Sequence, residues 1–244
     1  MACFQDGAPR PMTLLDDVIE ANGGMARWSR LKSFTLHLSI DGALLTPLGQ
    51  AGRCKDMVAE GTTQTQFVRF TGFDGPDLGG TYYPDRVSIE SQSGEVLRTW
   101  DRPLPVLLDQ SKDWDDLQLV FFCGFSAWNY LTTPFLLAHP DVRIEELSPW
   151  YERDQQWRRL QAVFPPGIIT HSPVQIFYFD KEGLQRRTDH DLLGTRVANY
   201  SWAHQAFSDI MVPTLRRSLG LRPNGSVIRR PALIDVEIFD VLFE

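Results

Sequence analysis

Residues 117–138, LQLVFFCGFSAWNYLTTPFLLA, form a nearly all-apolar run set among many short segments of alternating character. A helix that is hydrophobic all round has to be buried. Gly124, Ser126, Asn129, Thr132, Thr133 and Pro134 interrupt the run, and a membrane-spanning helix so rich in breakers and polar groups would be a poor one. The reading is therefore a buried helix that plugs or lines a hollow sheet. Thr133 before Pro134 predicts a break, with Thr133 as cap and Pro134 as first residue of a second short helix, PFLLA.

Upstream of this run, Thr13 precedes LLDDVIEANGG, in which Leu14, Leu15, Val18 and Ile19 share one helical face and Asn22-Gly23-Gly24 supplies a stop. Residues 1–11 read as a loose arm, and residues 12–244 as one domain. MARWSRLKS adds a second helical turn. From Phe34 the period changes to two, with Phe34, Leu36, Leu38 and Ile40 alternating against polar residues. Further strands are expected around 52–60, 65–73, 82–83, 86–91 and 95–100, with FDGPDLGG as a turn-rich connection and Gly79-Gly80 as a glycine pair within it. Pro103–Asp116 reads as irregular or partly helical.

Downstream, segments at 143–147, 156–164, 174–179, 184–192, 198–205, 214–219 and 233–241 are short and turn-bounded. Phe179-Asp180-Lys181-Glu182-Gly183-Leu184 is the clearest hairpin. About ten successive strands with few crossover helices argue for an antiparallel meander, and a curved sheet of that length needs a filling on its concave side. The expected fold class is mainly β with helices (α+β), a curved antiparallel sheet plugged by an apolar helix.

Composition narrows the partners. The 244 residues carry a formal net charge of -7 and no block of lysines, which argues against nucleic acid and anionic membrane surfaces. Cys3, Cys54 and Cys123 are far apart in sequence and lack a CxxC or Cys/His cluster, so they read as individually placed reduced thiols, without a zinc site or a disulfide framework. The N-terminus MACFQDGAPRPM has no basic region followed by an apolar stretch, and the expected location is the cytoplasm.

The order of an amphipathic helix, then NGGMARWSRLKSFTLHLSIDG, then a long meander with FYFDKEGLQRR as a hairpin, resembles the half-barrel fold of the lipoprotein carrier LolA and its relatives. WDDLQLVFFCGFSAWNYLTTPFLLA, FPPGIITHSPVQIFYFDKEGLQRRTDH and VPTLRR are also similar to a bacterial family of about this length with GG...W, WNYLTTPF and FYFD..G..RR stretches. The resemblance implies a half-barrel that holds an acyl chain or, as in a violacein-pathway enzyme of the same fold, cofactor-free chemistry. These motifs carry no catalytic residues across.

Two candidate sites follow from the strand and helix patterns. Alternation puts Leu184, Arg186, Thr188, His190 and Leu192 on one face and Gln185, Arg187, Asp189 and Asp191 on the other, while Ala198, Tyr200, Trp202 and His204 share a face of the next strand. Pairing of the two would bring His190 towards Tyr200, Trp202 or His204, an imidazole and phenol suited to proton transfer, so His190, His204 and Tyr200 are the candidate catalytic residues. Core or surface histidines are the commoner case. A metal at Asp189-His190-Asp191 is disfavoured because adjacent strand residues point to opposite faces.

Phe125, Trp128, Asn129 and Thr132 on the buried helix, with Trp202, are the candidate ligand-binding residues; the amide and hydroxyl need partners, either strand backbone or a ligand. There is no GxSxG elbow, Gly-rich phosphate loop or HExxH motif, and the expectation is no cofactor and no metal. The leading reading is a protein that binds an apolar or amphiphilic small molecule in a half-barrel cavity, as a cofactor-independent cyclase or isomerase of biosynthesis. A non-catalytic carrier or sensor of a lipid-like ligand is the alternative, and an interaction module built on an open sheet edge is the third.

Overall fold

The computed structural model describes residues 12–72, 78–103 and 113–244. The N-terminal arm, most of the FDGPDLGG turn and most of the Pro103–Asp116 segment lie outside them. Helix α1 (Leu14–Ala21) starts with a capping box: Thr13 accepts from the Asp16 amide and the Asp16 carboxylate accepts from the Thr13 amide. Its buried face is Leu14, Val18 and Ile19. A short turn, α2 (Met25–Trp28), buries Trp28.

Among the described residues, fourteen strands then form one antiparallel sheet. The first meander is β1 (Ser33–Asp41), β2 (Cys54–Thr62), β3 (Val68–Thr71), β4 (Leu78–Tyr83), β5 (Arg86–Ser91) and β6 (Val96–Asp101). The second is β7 (Arg143–Glu152), β8 (Gln155–Val163), β9 (Val174–Phe179), β10 (Gln185–Leu192), β11 (Thr195–Phe207) and β12 (Ile210–Leu221), followed by the two-residue β13 (Val227–Ile228). The last strand, β14 (Ile234–Phe243), slots between β1 and β12 and joins the meanders, while β6 and β7 are left as open edges. The mainly antiparallel expectation holds. Several strands run longer than their local pattern indicated, β12 from Ile210 where the sequence marked 214, because pairing with a long neighbour sustains a strand past its apolar alternation. In β1 the expected residues Phe34, Leu36, Leu38 and Ile40 are the buried face.

Between the meanders the apolar run forms α3 (Asp116–Thr132), and every residue from Leu117 to Thr132 is buried. Asp115 and Gln118 close a second capping box at its start. Arg53 and Arg98 hold the acidic first turn, with Arg53 Nη1 2.8 Å from Asp116 and Arg98 Nη2 2.6 Å from Asp115. The predicted break falls at Thr133-Pro134, with Pro134 rather than Thr133 as cap of a 3-10 turn, Phe135–Ala138. No described helix is long and apolar enough to cross a membrane.

The helix packs on β3, β4 and β5, and two glycines set how closely it lies. A Cβ added at Gly80 would come 2.4 Å from Val120 Cγ2, and one added at Gly124 2.3 Å from Tyr82 Cβ. Gly79 and Gly80 are therefore not turn residues, as the sequence suggested, but strand positions in β4, of which Gly80 admits the helix. The thiols also depart from expectation: Cys54 on β2 and Cys123 on α3 are buried with their sulfurs 3.1 Å apart.

Candidate functional site

The inner face of the second meander is polar where α3 ends. Register pairs Thr188 with Asn199 and Asn199 with Ser218, and Ser201 with Arg216, so successive strands lay a row of hydroxyl, amide and guanidinium groups beneath the helix. A register irregularity between Gln185 and Arg187 makes Arg186 the extra residue of β10. Gln185 consequently turns to the Thr188 side and donates to its hydroxyl at 2.8 Å, while Arg186 leaves to pair with Asp180. This reverses the simple alternation expected for that strand.

From α3, Asn129 donates to the carbonyls of Phe125, at 2.7 Å, and Ile169, at 3.0 Å. His171, on the loop before β9, sits with Nε2 3.2 Å from the Ser126 hydroxyl and 3.3 Å from the Tyr130 hydroxyl, and its ring centroid is 4.5 Å from that of His190. Arg216 is 3% exposed. It donates to Ser201 Oγ and the Tyr130 carbonyl and lies over the Tyr130 ring at 4.6 Å. No carboxylate pairs with it among the described residues.

These groups enclose a crevice of about 20 Å³, also lined by Thr133, Phe164, Gln175 and Phe177. That is room for about one water or one oxygen atom of a larger molecule. Asn129 Oδ1, Asn199 Oδ1, Arg216 Nε and both ring nitrogens of His190 are buried there without a hydrogen-bond partner among the described residues. Five such atoms around one crevice are unusual, because buried polar groups are nearly always bonded.

Burial, reinforced by the Arg216 charge, pulls His190 down to about 3. Burial pushes His171 well below its ordinary value, with His190 and Arg216 adding to the effect. Burial brings Arg216 down to about 10 and raises Tyr130 to about 12. At neutral pH the crevice holds one buried cation and two neutral imidazoles, each with one donor and one acceptor. A histidine so depressed is a weak proton acceptor at pH 7, which suits it to recognition better than to general base work.

Beside the crevice, on the face of the helix that carries Trp128 and Thr132, lies a groove of about 400 Å³, walled also by Trp28, Phe135, Leu136 and Ile168 with Thr63–Gln66. Trp28 stacks on Phe135 with ring centroids 4.4 Å apart. Trp128 donates its indole N–H to the Thr62 carbonyl at 2.8 Å, and the Thr132 hydroxyl donates to the Trp128 carbonyl at 2.9 Å. Both polar groups are thus satisfied by backbone and present their apolar sides to the groove. Phe125 packs against Phe121, Phe122 and His171 in the core.

Tyr200 and Trp202 are elsewhere. Tyr200 pairs with Arg187, and His190 with Val197, so the expected meeting of His190 with Tyr200 or Trp202 does not occur: they point to opposite faces of the sheet. On the outer face Arg187 makes a bidentate pair with Asp189 and bonds Glu152 at 2.8 Å, Tyr178 donates to Asp189, and Tyr200 donates to Glu152 at 2.7 Å. Burial and the Glu152 hydrogen bond raise Tyr200 above the ordinary phenol value. This network, with Trp150, Trp157 and Trp202, floors an open outer groove of about 870 Å³. His204 of β11 pairs with Pro213 of β12, and burial with Arg186 and Arg216 nearby lowers it to about 4. No group of three or more potential metal ligands occurs among the described residues.

The sequence reading missed Arg216 and His171. A signal for the first was present: Arg216-Arg217 in a strand must send one guanidinium to each face. His171 sits in a Pro-rich loop whose path no local pattern fixes.

No protein-family model and no curated protein sequence matches the chain. Solved structures do resemble it in fold. A LolA superfamily protein from Nitrosomonas europaea superposes with TM-score 0.54 at 10% identity, over 95% of this chain and 92% of that one. A domain of the outer membrane lipoprotein-sorting kind from Vibrio parahaemolyticus gives TM-score 0.54 at 11% identity, over 94% and 92%. The fold is a LolA-like half-barrel, as the sequence resemblance implied.

Proposed function

We propose that the protein binds an amphiphilic small molecule at the C-terminal end of α3, its anionic or polar end in the crevice at Arg216 and His190 and its apolar part along the groove of Trp128 and Phe135. The observation that carries this reading is Arg216, a guanidinium 3% exposed and without a carboxylate partner among the described residues. Burying a cation without a counter-charge costs several kcal/mol, roughly, and a ligand carboxylate would remove that cost. Orphaned Asn199 and His190 supply further contacts. Asn129, which lines the crevice, and Gln66, which lines the groove, both donate to the Ile169 carbonyl. The likeness to a LolA superfamily protein and a lipoprotein-sorting domain supports a lipid-like ligand class.

In this reading the helix fills most of the hollow and the ligand occupies what remains at one end. A carrier or sensor needs no more than that. The chain of Ser126, Tyr130, His171 and His190 is what favours the second reading, a cofactor-independent isomerase or cyclase working on the same bound molecule. Fluorescence titration with 11-(dansylamino)undecanoate tests the site. Saturable uptake by the wild type, weakened about tenfold or more in Arg216→Met, is the expected result, since one charge-assisted bond contributes roughly 1.5–3 kcal/mol. No uptake, or equal uptake by a folded Arg216→Met, would sink the proposal.

A further inference from the structure

Cys54 and Cys123 belong to different layers of the molecule. Cys54 opens β2 next to Ile40 of β1, and Cys123 lies in the middle of α3, 69 residues along the chain. Both are 0% exposed, and their sulfurs are 3.1 Å apart. That is inside ordinary sulfur–sulfur contact and about 1 Å from a covalent S–S bond, a gap that side-chain rotation spans without moving either backbone far. The surroundings are apolar, and no metal cluster or hydrogen-bond network among the described residues gives the pair another role. Two buried structural thiols need not approach so closely; either would pack as a small hydrophobe alone.

We infer that Cys54–Cys123 is a cross-linking site, at which oxidation bolts the plug helix α3 to the sheet strand β2. The oxidant is a small disulfide such as oxidised glutathione. The Cys54 thiolate attacks one of its sulfurs and releases a first thiol. Cys123, losing its proton to solvent, then displaces the second thiol from the mixed disulfide. Two protein thiols are oxidised, one disulfide is reduced to two thiols, and the released thiolates take up the two protons.

Burial dictates when this happens. It also holds the Cys123 thiol protonated, far above its ordinary value. Exchange needs thiolate and access, so it proceeds while α3 is unseated, during folding or in an opened state, and stops once the helix is packed. The bond would close a long loop, and the oxidised form should melt roughly 5–15 °C above the reduced one.

The test refolds the full chain carrying Cys3→Ser in a glutathione redox buffer and traps free thiols with iodoacetamide under denaturing conditions. Intact mass and peptide mapping then follow. A 54–123 disulfide with no alkylation, and a higher Tm that a reductant reverses only after denaturation, is the expected result. Alkylation of both cysteines after oxidative refolding, with wild-type-like circular dichroism showing the fold intact, would overturn the inference. Mixed glutathione adducts on both sulfurs without a cross-link would overturn it equally. The double variant Cys54→Ala, Cys123→Ala controls for folding: its Tm must not change between the two buffers.

Discussion

The close seating of α3 on β4 is open to a double-variant cycle at Gly80 and Val120. A methyl on residue 80 meets Val120 Cγ2 at 2.4 Å and Cγ1 at 2.8 Å, closer than real carbon contacts allow. Gly80→Ala alone should cost about 3 kcal/mol, the upper end of overpacking, because helix and strand are both held by neighbours. Val120→Ala removes two methyl-sized groups at about 0.8 kcal/mol each and leaves a small void, about 2–3 kcal/mol altogether. Additive behaviour would put the double variant near 5 kcal/mol, roughly. In the double variant, however, the methyl introduced by Gly80→Ala fills the space the valine methyls vacate, while the remaining Val120 Cβ stands at 3.2 Å, a contact a small shift relieves. The double variant should therefore lose only about 2 kcal/mol, a coupling of about 3 kcal/mol. Urea unfolding of the four proteins, followed by tryptophan fluorescence, measures it. Additivity within about 0.5 kcal/mol would show that Gly80 is not the point of close approach.

Three further outcomes are expected. The His190 imidazole is protonated near its ordinary value when unfolded but only near 3 when folded, so the unfolded state binds more protons in between and stability falls as pH drops from 6.5 towards 3. Between pH 6.5 and 4, urea unfolding of His190→Gln should show a loss smaller than the wild type's by roughly 3 kcal/mol, and equal losses would contradict the neutral buried state. On the outer face, Arg187→Met strands Asp189 and Glu152 without their cation and should destabilise by roughly 3–5 kcal/mol in the same assay, whereas a loss under about 1 kcal/mol would mean that the network contributes little. Arg216→Met, by contrast, replaces an unpaired buried charge with an apolar chain and should leave the unfolding midpoint unchanged or higher; a collapse of stability would mean that the guanidinium is a structural necessity.

Local patterns carried the reading of elements whose burial is one-sided or total. The β1 alternation, the Thr13 cap, the Asp180–Leu184 hairpin and the buried run at 117–132 each have a period or a turn chemistry that tertiary contacts leave intact. Faces were legible only as far as the pleat stayed regular. At β10 the extra residue Arg186 breaks the count, so Gln185 and Arg186 exchange sides, and the register that sets His190 opposite Val197, away from Tyr200, belongs to the pairing with β11 and could not be read from either strand alone. Asn129 was legible as a buried amide in need of a partner; its neighbours Arg216 and His171 come from β12 and a loop dozens of residues away. Gly80 and the two thiols were missed for the same reason: their meaning is an approach between α3 and the sheet, which sequence separation conceals.

The central claim, that the crevice at the end of α3 receives the polar end of a ligand, is tested most directly by imidazole ¹⁵N spectra of the protein titrated with decanoate. Five histidines give five resolvable rings. His171 and His190, which face each other in the crevice, should shift saturably and together, while His37 and His139 at the surface stay in place. Saturating decanoate that leaves His171 and His190 unmoved, or that moves the surface rings alone, would contradict the account.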